Sequence, residues 1–308
     1  MALSEPLCKT TVPSNHSPPS ELGWLKYALA SFFFGAVGQF SMGFLSEDLT
    51  SRFIISLGDL TFVIFFGFLK FLYFKYKNKR WAKISDCAWF DSNGAFKKGT
   101  FKYLLLCITT RFIYGFAIIL AYAEAKDHDM NLGIVLSIRS SEALFVALWT
   151  YILLKEKLSH CKLLGLFILI GGIVGLSMPK DTEDGFSVLA VIYALVAALV
   201  SSFRNFSVKR LAKLDVDGDT IILHAVFWAD LITVILGCIL CFWGIGFNHE
   251  FYDTYFDQES IEFTWTRFGM ATFVGFAIFF SLTTTANANQ KGYAGIFLFY
   301  FSNINLFK

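Results

Sequence analysis

The sequence predicts an all-α polytopic membrane protein, an inverted repeat of five-helix units with about nine transmembrane helices present of an expected ten. Three observations carry this. The 308 residues are 56% hydrophobic and only 16% charged, where soluble domains run about 45–50% and about 25%. The apolar excess lies in runs close to the roughly 20 residues that a helix needs to cross a hydrocarbon core of about 30 Å. Finally, short motifs recur in order half a chain apart.

The runs fall at about 25–45, 53–73, 102–122, 132–154, 161–178, 186–207, 220–245 and 268–287, with a ninth at 293–308. Their all-round hydrophobicity and clusters such as Phe32-Phe33-Phe34 suit lipid-facing helices rather than the alternating strands of a barrel. Residues 1–22 are rich in Ser, Pro and Thr and read as a disordered cytoplasmic tail. They have no basic start followed by a short apolar stretch, so helix 1 is expected to act as the targeting signal.

Loops alternate in sign. Residues 70–102 hold nine Lys/Arg against two Asp, and Lys155, Lys157 and Lys162 follow helix 4. Lys209, Arg210 and Lys213 follow helix 6. The intervening loops are acidic: Glu47 and Asp48; Glu124, Asp127 and Asp129; Asp181, Glu183 and Asp184; and the 246–267 loop, with five acids and one Arg. The Lys/Arg excess marks the cytoplasmic face and puts the N-terminus there. A net charge of +2 argues against an overall nucleic-acid-binding surface. The basic 70–102 loop with Trp81 and Trp89 needs only anionic headgroups and an interface to explain it. Six cysteines, mainly in apolar runs or basic loops, are poor material for a disulfide framework.

The repeat is read from ordered pairs. Tyr27-Ala28-Leu29 recurs as Tyr193-Ala194-Leu195, and Phe40-Ser41 as Phe206-Ser207. Asp59-Leu60 with Val63-Ile64 recurs as Asp230-Leu231 with Val234-Ile235. Thr110-Arg111-Phe112 and Gly115-Phe116-Ala117-Ile118 recur as Thr266-Arg267-Phe268 and Gly275-Phe276-Ala277-Ile278. Gly133-Ile134 and Leu136 recur as Gly295-Ile296 and Leu298. A unit of five helices is odd, so the second copy is flipped in the membrane, with the substrate site expected at the interface of the copies near the midplane. On this plan helix 9 is incomplete and helix 10 lies beyond Lys308.

The segment Thr150 to Ser159, with Leu164-Gly165 and Gly171-Gly172-Ile173-Val174-Gly175 after it, resembles the end of an EamA domain of the drug/metabolite transporter superfamily. Arg139-Ser140-Ser141-Glu142 is similar to a Lys-x-x-Glu segment of the phosphate-translocator branch, with Arg for the Lys and Ala143 where a Pro usually follows. The resemblance implies a first EamA-like half at 24–178 and a second, C-terminally incomplete, at 186–308. It implies a secondary-active carrier of a small polar or anionic metabolite, working by alternating access. Two alternatives stay open: an organophosphate or nucleotide-sugar exchanger, and a truncated, transport-dead membrane protein. No catalytic signature or phosphate-cradling glycine loop occurs, so neither an enzyme nor a cofactor is expected. The expected partners are the metabolite, the bilayer, and a proton or counter-substrate; a homodimer is compatible with the plan.

A charge at the bilayer centre costs about 2.5–3.5 kcal/mol on insertion scales, so it usually faces a cavity or a partner. Arg139 and Glu142, three apart in helix 4, are the leading substrate-binding candidates; the alternative is an ion pair that locks the helix. Arg111 pairs with Asp59 or Glu142, or binds substrate. Asn205, Asn287 and Gln39 either line the cavity or glue helices together. Asp59 and Asp230, at equivalent places in the two halves, either carry a coupling ion or pack helices through Ser, Thr or Arg111. His224 reads as a packed histidine. Cys238 and Cys241 read as small thiols rather than a metal site.

Overall fold

The computed structural model describes residues 25–46, 49–82, 89–90, 97–154, 187–212, 214, 216–247 and 265–291, with isolated residues between 164 and 172. Every element among them is a helix: α1 Leu25–Leu45, α2 Leu49–Asn78, α3 Lys98–Asp127, α4 Leu132–Arg139, α5 Glu142–Leu154, α6 Val188–Ala212, α7 Gly218–Phe247 and α8 Trp265–Lys291. Among the described residues six stretches are long and apolar enough to cross a membrane: Ser51–Asn78, Lys98–Asp127, Leu132–Trp149, Val188–Leu211, Gly218–Leu240 and Trp265–Asn287. A shorter apolar helix covers Leu29–Leu45. These match the expected helices 1 to 4 and 6 to 8. The tail, most of helix 5 and all of helix 9 lie outside the described residues.

The helices run past the apolar windows that predict them. At 1.5 Å per residue, the 30 residues of α2 extend about 45 Å, well beyond a hydrocarbon core of about 30 Å. Lys75 and Lys77 occupy its last turn, where cations meet both the helix dipole and the interface. Side-chain caps set other ends. Asn131 Oδ1 accepts from Gly133 N at 2.8 Å to open α4, and Asp217 Oδ2 accepts from Thr220 N at 3.0 Å to open α7. Burial pushes the Asp217 carboxyl up, but the Thr220 hydroxyl and the Lys70 ammonium outweigh it and hold the group below its ordinary value. Between α3 and α4 the chain reverses through Asp129 at φ 52°, a left-handed conformation that Asp tolerates better than most residues.

Expected helix 4 is not continuous. Ser140 and Ser141 form a turn between α4 and α5, although the two pieces together make one span. Ser140 Oγ donates to Leu136 O at 3.0 Å and Ser137 Oγ to Gly133 O at 2.8 Å. Hydroxyls that bond back to the carbonyl four residues earlier compete with the ladder and bend helices.

Two helix pairs dominate the packing: α3 lies along α6, and α1 along α8. Both seams are built from small side chains, as expected where lipid gives helices no hydrophobic reason to associate. On α6, Ala190, Ala194, Ala197 and Ser201 are fully buried at helical spacing; Ala117, Ala121 and Ala125 of α3 are buried with them in the same core. Between α1 and α8, Ser31 Oγ donates to Ser281 O at 2.9 Å and Ser281 Oγ returns a bond to Ser31 O at 3.1 Å. Phe34, Phe62, Phe66, Phe276, Phe279 and Phe280 pack in edge-to-face and tilted pairs across α1, α2 and α8. Phe33, Phe40, Phe44, Phe65 and Phe68 are exposed on the outside of the bundle, where lipid lies.

Where α2 crosses α8, backbone meets backbone. A Cβ on Gly58 would stand 2.5 Å from Ala271 C, and one on Gly275 would stand 2.6 Å from Asp59 Oδ1 and 2.8 Å from its Cα. Gly269, on the same helix, has nothing within 4 Å. Gly275→Ala should therefore cost about 1–3 kcal/mol through forced displacement of α2, whereas Gly269→Ala should be neutral or slightly stabilising. Thermal unfolding of the two variants in the same detergent checks this; equal midpoints would show that the crossing is not tight.

Candidate functional site

Two charged centres lie side by side inside the bundle, joined by α3. In the first, Arg52 Nη2 donates to Asp230 Oδ1 at 2.8 Å and Arg111 Nη2 to Asp59 Oδ2 at 2.6 Å. Arg111 also stands 3.8 Å from Asp230 Oδ2, and Ser56 Oγ donates to Asp230 Oδ1 at 3.4 Å. All four charged side chains are buried, none more than 3% exposed. Arg52 and Asp59 lie seven residues apart on α2, two turns along one face. A Cβ on Gly115 would collide with the Arg52 guanidinium, so the side chain passes α3 only because that position has none. Two cations face two anions, and the centre is neutral.

The second centre is not balanced. Arg139, in the last turn of α4, places its guanidinium carbon 5.4 Å from the centroid of the Tyr114 ring; Arg204 of α6 places its own 5.5 Å from the same ring. These distances are within cation–π range. Arg204 is 4% exposed and Arg139 half-buried. Arg204 Nη2 donates to Ser201 Oγ at 2.8 Å, but its Nη1 and the Nε of Arg139 are buried without a hydrogen-bond partner. The acid within Coulombic reach of both is Glu142, at the first turn of α5. Its Oε1 accepts from Asn205 Nδ2 across the α5–α6 contact. Among the described residues neither Arg139 nor Arg204 forms a salt bridge. Tyr114 is fixed from α1: Gln39 Nε2 donates to its hydroxyl at 3.4 Å, and Tyr122 donates to Gln39 Oε1 at 3.2 Å.

The structure thus brings Arg139, Glu142 and Asn205 together. It places Arg111, Asp59 and Asp230 in the neutral centre, one turn along α3 from Tyr114. Glu142 does not share a helical turn with Arg139, because α4 ends between them. Asn287 is elsewhere: its Nδ2 donates to Asp219 Oδ1 at 2.7 Å at the start of α7, near the Lys70–Asp217 pair. Gln39 acts as a bridge between two tyrosines. His224 packs edge-on against Trp89 at 5.3 Å. Cys238 is exposed, and Cys241's side chain lies outside the described residues. Arg52 and Arg204 were not among the residues singled out from sequence. Arg52 falls one residue before the apolar window of helix 2, yet α2 begins at Leu49. Arg204 is a charge inside an apolar run beside Asn205, and that is the signal that could have found it. Among the described residues no group of three or more His, Cys, Asp or Glu is arranged to hold a metal ion.

A helical bundle with six membrane-length spans and buried guanidiniums beside a broken helix defines a multi-pass integral membrane protein of the transporter class. The Triose-phosphate Transporter family model matches residues 134–288, from α4 through α8. The chain belongs to this family, and with it to the translocator branch of the drug/metabolite transporter superfamily. No curated protein matches the chain.

Removing one member of a buried pair leaves an uncompensated charge and costs about 3–5 kcal/mol. Asp230 serves Arg52, Ser56 and Arg111, whereas Asp59 serves Arg111. Asp230→Asn should therefore lower the unfolding midpoint more than Asp59→Asn. Arg52→Met combined with Asp230→Leu should recover much of the loss. A double variant no more stable than either single one would show that the pair does not act as a unit.

Proposed function

We propose that the chain is a secondary carrier of a small phosphorylated metabolite, nucleotide sugars included, whose anionic group is held by Arg139 and Arg204. One observation carries the reading: two guanidiniums have a single carboxylate within Coulombic reach and no salt bridge among the described residues, and each keeps a buried N–H without a partner, as the paired Arg52 and Arg111 also do. A buried unsatisfied donor is costly, and an oxyanion would satisfy these donors with charge-assisted bonds in the geometry that Arg favours. Membership of the Triose-phosphate Transporter family supports the same class of substrate. The half-helix ends at Ser140–Ser141 supply irregular backbone of the kind found where transporters line a cavity.

Transport proceeds by alternating access of two inverted halves, residues 24–178 and 186–308. The packing supports this plan: exchanging each helix for its repeat partner turns the α1–α8 seam into the α6–α3 seam. The equivalent acids Asp59 and Asp230 both meet Arg111. Equivalent glycines, Gly115 and Gly275, make room for Arg52 and Asp59. On this reading the neutral centre is the axis on which the halves are joined, and Asp59 and Asp230 hold it rather than carry a coupling ion. The N-terminus faces the cytosol, since Lys75, Lys77, Lys98, Lys209 and Arg210 gather at helix ends on one side.

The test is thermal stabilisation of the purified chain by inorganic phosphate, sugar phosphates, nucleotide sugars and a dicarboxylate. A phosphorylated compound should stabilise the wild type most. Arg204→Ala and Arg139→Ala should weaken that binding about 10- to 100-fold, as expected for losing a bond to a charged group. Arg139→Lys should weaken it less, keeping the charge and losing the fork. Undiminished stabilisation of both Ala variants would place the anion site elsewhere.

A further inference from the structure

Among the described residues Glu142 is the one acid that could neutralise the second centre from within, and it is held by a group that carries no charge. Its carboxylate accepts the side-chain amide of Asn205, and it sits in the first turn of α5, where the helix dipole favours an anion. Amide and dipole satisfy the carboxylate without using a cation. Were Glu142 free, it would stand three positions from Arg139 and within Coulombic reach of Arg204. It would then compete with any incoming anion as an intramolecular ligand, at a high effective concentration. Asn205 directly follows Arg204 on α6, so a single short segment carries both an anchor and the restraint on its competitor.

We propose that Asn205 is a positioning residue that holds Glu142 off the guanidiniums of Arg139 and Arg204 and so keeps the site cationic toward substrate. This deepens the anion-site reading and rests on it. Asn205 does not touch the substrate; it acts through Glu142. The geometry thereby sets how tightly an anion is bound without adding a contact to it. The competitor is removed most simply by Glu142→Gln, which keeps the shape and loses the charge.

The test uses the full chain reconstituted in liposomes, with inorganic phosphate uptake as the readout. Asn205→Leu should raise the KM about tenfold with little change in Vmax. Asn205→Leu combined with Glu142→Gln should return the KM to within about twofold of wild type, a coupling that independent sites do not show. Asn205→Gln, which keeps the amide, should retain near wild-type KM. A residue with a merely structural role would lower Vmax and folded yield and would not be rescued by removing a charge. An unchanged KM in Asn205→Leu, or a double variant as weak as Asn205→Leu, overturns the proposal. If Asn205→Leu fails to fold and Glu142→Gln restores folding, the unclamped carboxylate is the cause and the proposal stands. If folding is not restored, the pair is a structural lock and the proposal falls. Arg204→Ala is run alongside. Wild-type KM in that variant would overturn the anion-site reading itself, whereas a raised KM there with Asn205→Leu unmoved overturns only the role of Asn205.

Discussion

A charge inside a bilayer has to find its partner inside the protein, and in this chain that constraint is met by four residues. Arg52, Asp59, Arg111 and Asp230 come from α2, α3 and α7 and close into a neutral, buried set. The cost of leaving any one unpaired in lipid exceeds what ordinary packing between apolar helices recovers. The set therefore fixes the rotation of three helices at once. The glycines at its edge follow from it: Gly115 gives passage to the Arg52 side chain, and Gly275 lets α8 close over Asp59. The small-residue seams along α3–α6 and α1–α8 then complete the bundle around this centre.

Arg111 and Tyr114 lie one turn apart on α3, so the neutral centre and the cationic one share a single rigid element. That proximity ties the two together. The acids satisfied at Arg52 and Arg111 are not available to Arg139 and Arg204. A balanced set at one turn of α3 leaves an unbalanced set at the next, and the excess of positive charge is concentrated at the broken helix. Tyr114 is within cation–π range of both guanidiniums and is itself fixed by Gln39 and Tyr122. The arginines are thus oriented by an aromatic face, which stabilises a cation without neutralising it.

Much of this was legible in the sequence, and the failures have physical causes. Helix number and place followed from apolar runs among the described residues. The repeated Asp-Leu-x-x-Val-Ile pointed to Asp59 and Asp230, and a lone mid-span charge pointed to Arg111 and Arg139. Which charges pair could not be read, because pairing depends on the rotation of packed helices. Arg52 was hidden by its place at the edge of an apolar window, although its long side chain reaches inward to Asp230. The break at Ser140–Ser141 was hidden because hydropathy records composition and does not see a hydroxyl bonding back to a carbonyl. Asn287 looked like Asn205, a polar residue near the end of an apolar run, yet Asp219 holds it at the start of α7. Nothing in its local sequence separates the two cases.

At the proposed site, the sign of the charge it favours follows from what each candidate would meet. A cation entering beside Tyr114 would face two guanidiniums, and the nearby carboxylate is already bonded to Asn205. It would gain no partner and would add like-charge repulsion in a medium that screens it poorly. A neutral polar molecule would satisfy the orphan N–H groups but leave the excess charge uncompensated. On the proposed reading an oxyanion would do both: it would accept from Arg139 Nε and Arg204 Nη1 and cancel charge that the bundle leaves open. On the same reading Glu142 would have to be restrained, as its bond to Asn205 allows. Any carboxylate free to move among these guanidiniums would serve as the anion itself, and the carrier would hold its own side chain in place of its cargo.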